Sequence, residues 1–176
     1  VHFCETLTDD HGWCEKLIKL QLAVRKKFPK IRIMRSIPIA EPGGSGFVPT
    51  LDFASLFESV SDLFLTDTML MEKSDKAQER QPVPGFVGIT GRTCDWDIAR
   101  KLVKMCSIPV ILAGGISADN VFEALCRVRP AGVDSCTLTN ALDSAGCPVR
   151  FKKDVDKVRR FVREARRAED FLREKK

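Results

Sequence analysis

The sequence predicts an α/β domain built on parallel strands, and three observations lead there. Short apolar runs rich in β-branched residues alternate, five times over, with stretches of helical period. One of these runs, at residues 108–120, is Ile-Pro-Val-Ile-Leu-Ala-Gly-Gly-Ile-Ser-Ala-Asp-Asn. It has the form of a buried strand stopped by Gly114 and Gly115, with a helix start expected after Ser117. The third observation is length: 176 residues suit one domain that buries roughly 70% of its unfolded surface. By length alone the five units make an open five-stranded parallel sheet of flavodoxin-like kind. A closed (β/α)8 barrel needs eight strands and typically ~250 residues.

Residues 1–5 are the first strand, with His2 and Cys4 on one face and Val1 and Phe3 on the other. Asp9 or Asp10 caps a helix in which Trp13, Leu17, Leu20, Val24 and Phe28 recur at three and four residues, and Pro29 blocks its continuation. Residues 31–39 are a second strand carrying Arg32 and Arg35. A loop of Pro42, Gly43, Gly44 and Gly46 leads to a helix at residues 51–60 started by Thr50. Residues 63–68 are a third strand with an acid, Asp67, near its C-terminal end. The polar segment at residues 72–84 lacks hydrophobic periodicity, as functional or mobile loops do. Cys94-Asp95-Trp96 opens a helix with Ile98, Ala99, Leu102 and Val103 on its inner face. After the Gly-Gly strand come a helix with Val121, Ala124, Leu125 and Val128, a fifth strand at residues 131–137, and a last helix from about Asp154.

Composition narrows the function classes. With 44% hydrophobic and 30% charged residues the chain is neither disordered nor membrane-embedded, and no apolar run approaches the ~20 residues of a membrane span. The absence of a signal-peptide pattern leads to a cytoplasmic expectation, with no membrane partner. The net charge of +5 concentrates in residues 150–176, where Val155, Val158, Phe161, Val162 and Ala165 fall at helical spacing. The basic residues there are the solvated face of an amphipathic helix, without aromatic interleaving to stack bases, so no nucleic-acid partner is expected. Seven cysteines, an odd number without CxxC spacing, are expected to be reduced thiols, and no metal site is expected.

Gly114 and Gly115 lack a Cβ, so their backbone N–H groups can approach an anion, and the helix after Ser117 adds its dipole. Taken alone, a Gly-Gly after a strand is also merely a turn. Asp67 is either a helix N-cap after its strand or a catalytic acid or base. Asp95 and Trp96 are expected to be a cap and a packing anchor, and Cys94, Cys106 and Cys126 small buried hydrophobes. Arg35 pairs with a substrate carboxylate or, more simply, with Asp67.

Four motifs in order resemble phosphoribosylanthranilate isomerase: Leu65-Thr66-Asp67-Thr68; Gly88-Ile89-Thr90-Gly91-Arg92-Thr93-Cys94-Asp95-Trp96; Leu112-Ala113-Gly114-Gly115-Ile116 with Asn120; and Val128-Arg129-Pro130-Ala131-Gly132-Val133-Asp134. The resemblance covers nearly the whole chain. It implies a portion of a TIM (β/α)8 barrel, strands four to eight with their helices, residues 1–176 forming a single barrel domain that lacks the first three strand-helix units. It implies an aldose–ketose isomerase of tryptophan (amino-acid) biosynthesis, an intramolecular oxidoreductase. The reaction the resemblance implies is an Amadori rearrangement of a phosphorylated amino-sugar, with no metal or organic cofactor expected.

Carried over by motif, Asp67 would be the general base that takes the proton from C2 of the ring-opened Schiff base. Asp134 would be an acid facing the substrate. Gly88, Gly91, Gly114 and Gly115, with Cys136 and Thr137 after the last strand, would bind substrate and phosphate. The family's general acid is a cysteine ending its first strand, and no residue here matches it. The acid is therefore expected either to lie outside the chain or to be a non-family residue such as Cys4 or Cys136, Cys4 standing where the family usually has histidine. Two other departures are Ile89, where the family's Gly-Gly-Thr-Gly has glycine, and Leu138, where its Ser-Ser-Gly turn has glycine. The expected partner is a sugar-phosphate substrate, with possible homo-oligomers through exposed strand edges. The alternatives are a non-catalytic or re-purposed barrel that binds a sugar phosphate, and a sugar-phosphate lyase or epimerase.

Overall fold

The computed structural model describes residues 1–44, 46–70 and 86–175. Strands β1 (His2–Phe3), β2 (Met34–Ala40), β3 (Leu63–Met69), β4 (Val110–Leu112) and β5 (Gly132–Val133) form one parallel sheet in the order β1-β2-β3-β4-β5. Helices α1 (His11–Lys27), α2 (Thr50–Phe57), α3 (Trp96–Met105) and α4 (Val121–Val128) lie between successive strands, and α5 (Val155–Glu174) comes last. The parallel sheet has the five strands that length predicts. The order identifies how the sheet is wound. A flavodoxin-like sheet runs 2-1-3-4-5 with helices on both faces, whereas strands laid down in chain order by crossovers of one hand keep every helix on the same face. This is the winding of an α/β barrel.

The two faces of the sheet agree with it. Ile37, Ile39, Phe64, Val110 and Leu112 point to the helix side and share one core with Phe53, Phe57, Leu102, Val121 and Ala124. Around the layer, α2 packs on α3, α3 on α4, and α4 on α5. The alternate residues of the strands, including His2, Ser36, Leu65 and Asp67, face the other way, as period two requires. The His2 ring meets Ser36 Oγ at 2.8 Å across that inner face.

Local chemistry sets the element ends. Asp10 caps α1 by accepting from the N–H groups of Gly12 and Trp13, and Asp95 and Asp154 cap α3 and α5 in the same way. Pro49, not Thr50, is the residue before α2; Thr50 is the first helical residue and donates its buried hydroxyl to Pro38 O at 2.8 Å. A 3-10 turn (Glu58–Val60) continues α2.

Several expectations are corrected. The buried stripe of α1 is Cys14, Leu17 and Gln21, while Trp13, Leu20 and Phe28 are exposed. Gln21 lies in the stripe because its amide donates to Val60 O and Ser61 Oγ, both at 3.2 Å, a tertiary need that apolar counting misses. On α5, Val155 and Val162 are exposed and Ala168 is fully buried. The fifth strand ends at Val133, because Ser135 turns away to donate its hydroxyl to Ile116 O at 2.6 Å. An unanticipated antiparallel hairpin comes next, β6 (Asn140–Leu142) and β7 (Pro148–Lys153), its turn closed by Asp143 Oδ1 accepting from Ala145 and Cys147. Arg35 pairs with Glu5 at 2.8 Å, not with Asp67, and stacks on Phe57. The segment at residues 72–84 lies outside the described residues.

Candidate active site

The carboxyl ends of β3, β4 and β5 surround a small cavity of about 50 Å³. That volume holds a few water-sized groups, the scale of a phosphate rather than of a whole phosphorylated ribose. Its walls come from three chain segments: Ile89, Thr90 and Gly91 on one side; Ala113, Gly114, Gly115 and Ile116 after β4; and residues 134–138 after β5, with Asp67 reaching in from β3.

Asp67 is placed by the long β2–β3 ladder, where it lies opposite Pro38. Its neighbours Thr66 and Thr68 face the other way and tie the strand end down. The Thr66 hydroxyl donates to Ala113 O at 3.0 Å and accepts from Ala113 N at 2.9 Å, and Thr68 Oγ1 donates to Arg92 O at 2.6 Å. The Asp67 carboxylate accepts from Thr68 N at 3.0 Å. Burial, with a smaller contribution from the Asp134 charge, raises its pKa from 3.8 to about 6. Few charges close at hand offset the desolvation, so the proton is held harder than on a free aspartate.

Packing requires the two glycines after β4. A Cβ on Gly114 would overlap the Thr68 hydroxyl, and one on Gly115 would overlap the backbone of Arg92 and Thr93. Both residues have φ in the left-handed region, +93° and +60°, which a side chain would strain. Asn120 locks the turn: its Oδ1 accepts from Ser117 N and its Nδ2 donates to Gly115 O. Helix α4 therefore starts at Val121, one turn beyond Ser117, and none of its residues lines the cavity. The expected helix dipole at the glycines gives way to backbone N–H groups alone.

Of the residues singled out by sequence, Asp67, Gly91, Gly114, Gly115, Asp134, Cys136 and Thr137 all border the cavity. Gly88 and Cys4 do not. Gly88, with φ of +105°, lies against the Asp67 carboxylate, where any Cβ would overlap it. Cys4 lies behind this segment, its carbonyl accepting from Val87 N at 3.2 Å, and burial together with the Glu5 charge pushes its thiol pKa up. His2, on the open inner face of β1, is exposed, and partial desolvation with the Arg35 charge lowers its pKa, favouring the neutral ring. Cys94 is a buried thiol pushed up to about 12, as a small core residue should be. Two features escaped the sequence: Ile89 sits at φ of +60°, and Lys153 of β7 donates to the turn after β5. The glycine that Ile89 displaces signals the first; the second has no local signal, because the contact spans a hairpin.

A family model described as N-(5'-phosphoribosyl)anthranilate (PRA) isomerase matches residues 20–164. The chain is 39% identical over 145 residues to N-(5'-phosphoribosyl)anthranilate isomerase 2 of Methanosarcina mazei, which covers 82% of this chain and 54% of that protein. It is 34% identical over 151 residues to the N-(5'-phosphoribosyl)anthranilate isomerase of Methanocella arvoryzae, 86% of this chain and 55% of that one. The chain thus spans about half the length of these curated relatives. Among solved structures, the phosphoribosylanthranilate isomerase of Thermotoga maritima superposes with a TM-score of 0.55 at 20% identity, over 84% of this chain and 57% of that one. The enzyme of Pyrococcus furiosus gives 0.52 at 22%, over 85% and 57%. At such identities the superpositions speak for the fold.

Proposed function

Because the chain belongs to the N-(5'-phosphoribosyl)anthranilate isomerase family, we propose that it carries the base and phosphate side of an isomerase of tryptophan biosynthesis, acting on phosphoribosylanthranilate in the cytoplasm. The observation that carries this reading is Asp67: a carboxylate with pKa raised to about 6 on a cavity whose facing wall is a Gly-Gly turn. A base must be ionised at the working pH yet basic enough to take a carbon-bound proton, and a pKa just below neutrality serves both needs.

In the proposed sequence, a thiol donates the proton that opens the ribose ring and leaves a Schiff base. Asp67 removes the proton from C2, and the electron pair moves through the carbon–nitrogen bond to give the enol-amine of the product. Burial and the Glu5 charge push the Cys4 thiol toward the protonated form an acid needs, while Cys136 is the thiol that lines the cavity. Asp134 faces the substrate across from Asp67, and Gly91, Gly114, Gly115 and Thr137 hold the phosphate; Gly88 serves by seating the base. Self-association through the short edges of β1 and β5 belongs to the same reading.

The test is turnover of phosphoribosylanthranilate by the full chain and by Asp67→Asn. The variant should lose about 10²-fold or more in kcat/KM. A loss within about threefold removes Asp67 from the base role. A second reading, a non-catalytic sugar-phosphate binder, is favoured by Ile89 and Leu138, which flank the cavity at positions where the family motifs carry glycine. It predicts no turnover together with phosphate protection against thermal unfolding.

A further inference from the structure

The β6–β7 hairpin returns Lys153 to the turn after β5. Its ammonium donates to three oxygens there: the carbonyls of Ser135 and Cys136 and Oγ1 of Thr139. The Thr139 hydroxyl is directed at the same two carbonyls, at 3.0 and 3.1 Å. One residue on, the Asp154 N–H donates to Thr139 O at 3.0 Å, while the Asp154 side chain caps α5. Strand end, turn and helix start are therefore joined through Lys153 and Asp154.

We propose that Lys153 is a positioning residue for the phosphate-binding wall, aiming the N–H groups of Cys136 and Thr137 into the cavity. The role rests on the proposal that this cavity binds phosphate. The Ser135 carbonyl and the Cys136 N–H belong to one peptide unit, as do the Cys136 carbonyl and the Thr137 N–H. The described peptide bonds include no cis linkage, so in each unit the two groups point in opposite directions. Ser135, Cys136 and Thr137 line the cavity and Lys153 does not. Holding both carbonyls on the lysine side thus leaves both N–H groups on the cavity side. A cation bonded to a carbonyl also polarises its peptide unit and makes the N–H a stronger donor to an anion. The arrangement compensates for Leu138, which stands where the family turn has glycine: the turn has lost a flexible donor position and gained a fixed one.

The experiment uses the full chain, with inorganic phosphate as probe, in wild-type, Lys153→Met and Lys153→Arg forms. Phosphate should shift the wild-type amide resonances of Gly114, Gly115, Cys136 and Thr137. Lys153→Met keeps the aliphatic stem; it should speed hydrogen exchange of residues 135–139 and raise the phosphate Kd, each about tenfold, as loss of a charge-assisted bond implies. Its melting temperature should move by no more than about 3 °C, since the lysine is at the surface, and Lys153→Arg should restore most of the affinity. If phosphate binds the wild type and the Met variant equally, Lys153 is not a positioning residue although the phosphate reading stands. If phosphate shifts none of these wild-type amides, the phosphate reading falls and the positioning role with it. Unchanged hydrogen exchange in the Met variant overturns the clamp itself.

Discussion

Asp67 concentrates a conflict between stability and chemistry. Its pKa is about 6 in the folded chain against 3.8 for a free side chain, so the native state binds its proton more tightly than the unfolded state does. Between those two values the native state holds more protons, and stability falls as pH rises. The loss is complete above about pH 7 and amounts to at most about 3 kcal/mol, less whatever solvent screening removes at a partly exposed carboxylate. Asp67→Asn should therefore match the wild type in urea unfolding at pH 4 and exceed it by up to about that amount at pH 7.5. Equal stability at both values would mean that the carboxylate is not desolvated. The acid at a strand's end was visible in the sequence. Its seat was not, because the backbone of Gly88 that lies against it comes from 21 residues further along the chain.

At the scale of elements, the segment carrying residues 86–91 shows how local preference yields to tertiary fit. Phe86 bridges Glu5, Gly88 abuts Asp67, and Gly91 meets Thr137, so the chain between them has no freedom to choose its dihedrals. Ile89 is left at φ of +60°, a region that costs a side-chain-bearing residue roughly 1–2 kcal/mol and a β-branched one the most. Ile89→Gly removes that strain but loosens the unfolded chain by about 0.4–1 kcal/mol, for a net gain of up to about 1 kcal/mol in chemical denaturation. A loss of more than about 1 kcal/mol would mean that packing of the isoleucine outweighs its strain. The cap at Asp95 was legible, that of α1 to within one residue, Asp9 or Asp10, and the start of α5 near Asp154, since capping is settled within four residues. The inner face of α1 was not: Gln21 belongs to it only because Val60 and Ser61 wait opposite.

Over the whole molecule, a sheet wound in chain order turns one face to the helix layer and gathers the carboxyl ends of β3, β4 and β5 around one cavity. The edge strand β1 has only two residues, and a buried ion pair helps to hold it. Arg35 of β2 is wholly buried, bonded to Glu5 Oε2 at 2.8 Å and to the Glu5 carbonyl at 2.6 Å, and stacked on Phe57 of α2. Glu5→Gln leaves that guanidinium without its counter-charge and should cost about 1–3 kcal/mol, at the low end for a partner that keeps some solvent contact. A change below about 0.5 kcal/mol in urea unfolding would show that the backbone carbonyl and the Phe57 ring suffice. The sequence by itself determined the alternation of strands and helices, the acids that start α1 and α3, the family, and which acids and glycines would meet at the strand ends, because periodicity and motif spacing are local properties of the chain. Only the tertiary structure decided the partner of Arg35, the left-handed Ile89, the retreat of α4 from the glycines and the reach of Lys153. Each of these depends on segments far apart in the chain competing for the same space and the same hydrogen-bonding groups, and sequence pattern records neither.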